Sequence, residues 1–71
     1  MDKVKAKAIR CYLGESMERF GKRIGLAAST ILAIENGQRD ITDKVRAKLI
    51  RIEIGLPDDF FIFYEHFKKT A

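Results

Sequence analysis

The sequence predicts an all-α fold built from five short helices, and three observations lead to this prediction. Apolar residues such as Phe20 and Ile24 recur at the spacing of a helix face. Residues that commonly cap helices, namely Asp2, Ser16 and Thr42, stand directly before such segments. The chain has 71 residues, for which we expect a single domain, 1–71, with a thin core.

Helix 1 is predicted to run from about Asp2 to Tyr12, because Gly14 then interrupts the pattern. One face of this helix is rich in lysine. The lone Cys11 near its end has no second cysteine with which to form an internal disulfide, and we interpret it as a small buried residue rather than a reactive thiol.

Helix 2 is predicted to begin after Ser16 and to place four residues on one side, Met17, Phe20, Gly21 and Ile24. Gly25 then suits a positive φ that ends the helix and turns the chain, and Leu26 anchors the turn. Gly21 lies in mid-helix, where glycine costs roughly 1 kcal/mol relative to alanine, so we expect it to allow a close helix contact.

Helix 3 is predicted from about Ala27 to Asn36, with Ile31 and Ile34 turned inward. Two short helices joined by a tight turn in this way are typical of a helix-turn-helix. Proteins that contain one most often place the second helix in the major groove of DNA.

The stretch A-I-R at 8 to 10, with S-M-E-R-F-G-K-R-I-G-L-A-A-S-T-I-L-A-I-E-N-G-Q-R from Ser16 to Arg39, resembles the DNA-binding domain of the phage lambda Cro and repressor family, also called the Xre family. The resemblance covers roughly residues 4 to 61, and E-N-G is its most specific local motif. It implies a five-helix lambda-repressor-like domain with the helix-turn-helix at helices 2 and 3. It also implies a structural ion pair between Arg10 and Glu35.

Two sets of DNA-contacting residues follow from this interpretation. Contacts to bases are expected from the outer face of helix 3, that is from Ala28, Ser29, Thr30, Leu32 and Ala33. Contacts to the DNA backbone are expected from Ser16, Met17, Lys22, Arg23, Asn36, Gln38, Arg39 and Lys44.

The chain departs from the family at two points. The family usually has glutamine at the first position of helix 2, where it clamps a phosphate, and this chain has Met17. The outer face of helix 3 also carries few hydrogen-bonding groups, so we expect modest base discrimination supplemented by DNA shape, or a face used for another purpose.

Charge is unevenly distributed along the sequence. Residues 3 to 51 contain 12 lysines and arginines against 5 acidic residues, whereas residues 52 to 71 contain 2 against 4. The first part therefore suits contact with phosphates. Lysine-rich helix faces also serve solvation alone, so this charge supports DNA binding without establishing it.

Helix 4 is predicted to begin after Thr42 and to end at Gly55, with a second apolar stripe formed by Ile50 and Ile54. The segment 57–71 follows and holds five of the seven aromatic residues, between Phe60 and Phe67. We favour a fifth helix there over an edge strand, although the run F-F-I-F-Y also suits a strand. The expected dimer interface comprises Ile50, Ile54, Phe61 and Tyr64.

The sequence thus predicts a dimeric, sequence-specific regulator that binds double-stranded DNA at a pseudo-palindromic operator, such as a small phage- or prophage-type repressor. The alternative is a protein-interaction module on the same fold, antirepressor or antitoxin-like, with weak or lost DNA binding. We expect no enzymatic activity, no metal and no cofactor, because His66 and Cys11 are isolated. The charged start M-D-K-V-K-A-K and the absence of a long apolar run predict a cytoplasmic protein with no membrane span.

Overall fold

The computed structural model describes residues 1–70, which form five α-helices and no strand. The helices are α1 Lys3–Leu13, α2 Met17–Ile24, α3 Ala28–Glu35, α4 Asp43–Ile54 and α5 Asp59–Thr70. Ala71, the last residue of the aromatic segment 57–71, lies outside the described residues. The prediction of an all-α chain with five helices is confirmed.

Three of the helices begin at the side-chain caps that the sequence predicts. Asp2, Ser16 and Thr42 each accept a hydrogen bond from the backbone N–H three residues later, at 2.8, 3.2 and 3.3 Å. These bonds satisfy one of the free donors at each helix start. Helix α3 differs, because Ala27 precedes it and supplies no side-chain cap.

The connection between α2 and α3 is closed by two glycines. Gly25 has φ +76°, and the N–H of Leu26 donates to the Gly21 carbonyl at 2.8 Å. A Cβ on Gly21 would collide with the Leu26 carbonyl oxygen. Gly21 therefore does permit a close approach, but the backbone that approaches it belongs to the turn rather than to the body of the next helix.

All five helices contribute to one buried apolar core. Ile9, Phe20 and Leu49 are its largest fully buried side chains. The core also takes in Ala6, Ala8, Ile24, Ile31, Val45 and Phe60. Helix α1 packs against α3, α4 and α5, and α2 packs against α3 and α4. Since Ile31 and Ile34 of α3 are both buried, the opposite side of that helix faces outward.

Within the aromatic segment, Asp59–Thr70 form a helix rather than a strand, as favoured above. Phe60 is buried, and the ring of Tyr12 on α1 meets Phe60 and Phe63 edge-on at 5.3 and 5.5 Å. The Tyr12 hydroxyl also donates to the Asp59 carboxylate, and this hydrogen bond raises the pKa of Tyr12. Helix α5 is therefore held against α1 by edge-on aromatic contacts and one charged hydrogen bond.

Candidate nucleic-acid interface

The outer face of α3 is only partly open to solvent. Ser29 is exposed and Leu32 is 45% exposed, whereas Ala28, Thr30 and Ala33 are half-buried. Within this set, hydroxyl groups come only from Ser29 and Thr30. The face can therefore offer few hydrogen bonds and several methyl groups.

The structure brings Arg10 and Glu35 together in a largely buried ion pair. Arg10 Nε and Nη2 donate to the two carboxylate oxygens of Glu35 at 2.6 and 2.9 Å, and the Glu35 side chain is 4% exposed. The hydrogen bond to Glu35 raises the pKa of Arg10 against the opposing effect of burial. Arg10 Nη1 also donates to the Glu15 carbonyl at 3.0 Å. One guanidinium thus joins α1 both to the end of α3 and to the connection before α2.

Glu15 forms a second ion pair, with Arg23, that was not predicted from the sequence. Arg23 donates to both carboxylate oxygens of Glu15, at 3.0 and 2.6 Å. This hydrogen bonding lowers the pKa of Glu15 and raises the pKa of Arg23. Glu15 precedes α2 and Arg23 lies near the end of that helix, so no helical spacing predicts the pair. Arg23, which is expected to contact the DNA backbone, is paired with Glu15 and stays exposed.

The other residues expected to contact the DNA backbone divide into two groups. Met17 is half-buried and packs against the core, so its side chain acts in packing. The remaining six are exposed, namely Ser16, Lys22, Asn36, Gln38, Arg39 and Lys44. The Ser16 hydroxyl already caps α2.

A cleft of about 170 Å³ lies between the α2–α3 turn, α3 and the start of α4. Three of the predicted residues meet along its wall, Thr30, Arg39 and Lys44. Lys48 also lines it, and its ammonium group donates to the Ile24 carbonyl at 2.9 Å. Lys48 was not among the predicted site residues, because no local pattern links a lysine on α4 to a carbonyl 24 residues earlier.

The four residues of the expected dimer interface do not share one environment. Ile54 and Phe61 are 78% and 65% exposed and border a surface hollow of about 340 Å³ together with Leu56 and Pro57. Ile50 is exposed but does not line this hollow. Tyr64 is half-buried, and its ring stacks on Phe60 at 6.0 Å beneath the Lys5 ammonium. Ile62, which was not predicted, is 64% exposed.

Within residues 1–70, no group of three histidine, cysteine, aspartate or glutamate side chains is arranged to hold a metal ion. In the same range, no helix is both long and apolar enough to cross a membrane. Comparisons with models of protein families, with curated proteins and with solved structures found no match.

Proposed function

We propose that this chain is a sequence-specific DNA-binding regulator, a small repressor of the lambda Cro and repressor (Xre) kind. In this proposal α2 and α3 form the helix-turn-helix and α3 enters the major groove. The observation that carries it is that α3 is fixed to the core on one side and at its end, while its other side faces outward. Ile31 and Ile34 fix one side of α3 to the core, and the Arg10–Glu35 pair fixes its end, while Ser29 and Leu32 face outward.

The charges around α3 support contact with phosphates. Arg39 and Lys44 are exposed at the cleft beside Thr30, and Lys22 is exposed on α2. A duplex laid along α3 would bring its phosphates toward cations of this kind on either side. Arg23 is not assigned to this set, because Glu15 neutralises it.

Direct base recognition rests on few groups. Ser29 and Thr30 can donate or accept hydrogen bonds, while Ala28, Leu32 and Ala33 suit contact with the methyl group of thymine. The chain therefore reads its operator through a small number of base contacts supplemented by DNA shape. Two copies on a pseudo-palindromic site would multiply this limited selectivity.

Selection of bound duplexes from a random pool tests the proposal directly. The expected result is a motif with twofold symmetry. The logarithm of the association constant should fall linearly with the logarithm of salt concentration. Lys44→Gln should weaken binding to every duplex and reduce that slope by about 0.9. The control is Lys69→Gln, which removes an exposed charge from the far end of α5 and should leave the slope unchanged. Equal recovery of all sequences at low salt would refute sequence-specific binding.

A second candidate function is favoured by the apolar character of α3. Leu32 is 45% exposed and is flanked on the helix surface by Ala28 and Ala33, which together form a face that suits another protein. Met17, at the position where the family has a phosphate-clamping glutamine, packs against the core. In this alternative the chain acts as an antirepressor or antitoxin-like module. This alternative requires that the chain binds a protein partner stoichiometrically and that the Leu32→Lys variant no longer binds that partner. It also requires that the chain shows no detectable binding to DNA.

A further inference from the structure

The α2–α3 turn and α4 are separated by the cleft of about 170 Å³, so packing is incomplete at this point of the fold. Gly25, Leu26 and Thr30 lie on one wall, and Lys44 and Lys48 lie on the other. The turn sets the direction in which α3 leaves α2. Any contact that crosses the cleft therefore influences how α3 is presented.

Lys48 makes such a contact. Its ammonium group donates to the Ile24 carbonyl at 2.9 Å, and Ile24 is the last residue of α2. Among the side-chain hydrogen bonds and ion pairs of residues 1–70, this is the one that joins α4 to the α2–α3 segment. A Cβ on Gly25 would lie 3.2 Å from the same ammonium nitrogen, so the lysine is close to the turn as well.

The chemistry of this contact suits a fixed position. The last carbonyls of a helix lack intrahelical hydrogen-bond partners and carry the negative end of the helix dipole. A lysine ammonium group supplies both the missing hydrogen bond and a favourable positive charge. Lys48 is half-buried, and its hydrogen bond is charge-assisted. Charge-assisted hydrogen bonds contribute more than neutral ones.

We propose that Lys48 is a positioning residue for DNA recognition, which acts by holding the α2–α3 turn against α4 and not by contacting phosphate. This inference rests on the proposed function, since it concerns how α3 is presented to the bases. It distinguishes Lys48 from Lys44, which lines the same cleft and is exposed at the start of α4. Removal of Lys48 should impair discrimination between sequences, whereas removal of Lys44 should impair binding to all of them.

The first measurement needs no DNA. Amide hydrogen exchange reports the opening of the turn through the N–H of Leu26, which bonds to the Gly21 carbonyl. Lys48→Met keeps the apolar stem and removes the donor, and should speed exchange at Leu26 roughly fivefold, while the amides of Ile31 and Leu49 change much less. Lys48→Arg keeps a charged donor and should restore slow exchange. Equal acceleration at all three amides would mean a general loss of stability and would overturn the positioning role.

The second measurement compares affinities for the selected operator and for a scrambled duplex. Lys48→Met should lower operator affinity about fivefold, leave the scrambled duplex within about twofold, and keep the salt slope unchanged. Lys44→Met is the matched control and should weaken both duplexes with a slope reduced by about 0.9. If Lys48→Met behaves like Lys44→Met, Lys48 is a phosphate contact and the inference is wrong. If the wild-type chain enriches no motif, the proposed function fails, and the exchange measurement alone decides whether Lys48 holds the turn.

Discussion

At the scale of the residue, the absence of a Cβ on Gly21 allows the backbone of α2 and the backbone of the α2–α3 turn to lie close together. The space that its Cβ would take is filled by the carbonyl of Leu26. Gly21→Ala should therefore destabilise the chain by about 1–3 kcal/mol, because the turn must move. Gly55→Ala is the control, since Gly55 has φ −84° and its Cβ would lie 3.6 Å from the nearest atom. Urea unfolding of both variants checks this, and equal losses would contradict it.

The buried pair of Arg10 and Glu35 provides a second test at this scale. Arg10→Met would leave the carboxylate of Glu35, which is 4% exposed, without its partner. We expect a loss of about 3–5 kcal/mol in the free energy of unfolding, as for other buried pairs broken on one side. Lys68→Gln breaks the exposed pair with Glu65 and should cost less than about 1 kcal/mol. Comparable losses for the two variants would show that the Arg10 pair is solvated.

Glu15 makes stability depend on pH. Arg23 lowers the pKa of Glu15 in the folded chain, so the pair stabilises fully above the pKa of an unfolded glutamate, about 4.3. Below that value the unfolded state takes up the proton first, and the contribution is lost as pH falls through the folded pKa. The difference in urea midpoint between the wild type and Glu15→Gln should be constant from pH 6 to 7 and shrink below about pH 4. A difference that does not change with pH would contradict this.

At the scale of the element, the starts of α1, α2 and α4 were easier to predict than the contacts that these helices make. Asp2, Ser16 and Thr42 act on backbone donors three residues away, so local sequence contains the information needed. Glu15 and Lys48 were missed for the opposite reason. The partner of Lys48 is fixed by how α4 packs against α2, and Glu15 lies outside α2, so no helical periodicity links it to Arg23.

The contacts that hold α5 against α1 also could not be predicted from the sequence. Helical spacing separates Phe60 and Tyr64 from Phe61, and in the structure Phe60 is buried, Tyr64 is half-buried and Phe61 is exposed. It did not reveal that Tyr12 would meet this helix, nor that Lys5 would lie over the ring of Tyr64. Those contacts join α1 to α5 across about fifty residues of chain, beyond the reach of local pattern.

Two neighbouring phenylalanines in α5 test how far this helix depends on the core. Phe60→Ala removes a buried ring that contacts Tyr12 and should cost about 3–5 kcal/mol. Phe61→Ala makes the same change on the exposed side, where Phe61 is 65% exposed, and should stay within about 0.5 kcal/mol. Thermal or urea unfolding of the two variants separates them, and equal effects would contradict the observed packing.

At the scale of the whole molecule, basic and apolar surfaces are presented by different parts of the chain. Arg39 and Lys44 lie at the cleft beside α3, while Ile54 and Phe61 border the hollow between α4 and α5. In the proposed dimer, the second surface joins two copies and the first contacts DNA. In this proposal different residues make the dimer contacts and the phosphate contacts, so each set of contacts can be removed by mutation without changing the other.

The dimer prediction follows from that separation. Ile54→Lys and Phe61→Lys should shift the chain toward monomer in sedimentation and lower operator affinity at least about tenfold, while the monomer stays folded because both side chains are exposed on its surface. Ala47→Lys adds the same charge at an exposed position of α4 outside the hollow and should leave association intact. A monomeric wild type on and off DNA would contradict the dimer.

Helix α3 has eight residues, and Ala27, which precedes it, supplies no side-chain cap. A helix this short does not persist in water by itself, because nucleation is unfavourable and few propagating bonds follow. The segment therefore owes its shape to the rest of the chain. A synthetic peptide copied from it would be a random coil, and any attempt to transplant its outer face into another scaffold must also supply a core that buries Ile31 and Ile34 and an arginine that pairs with Glu35 as Arg10 does.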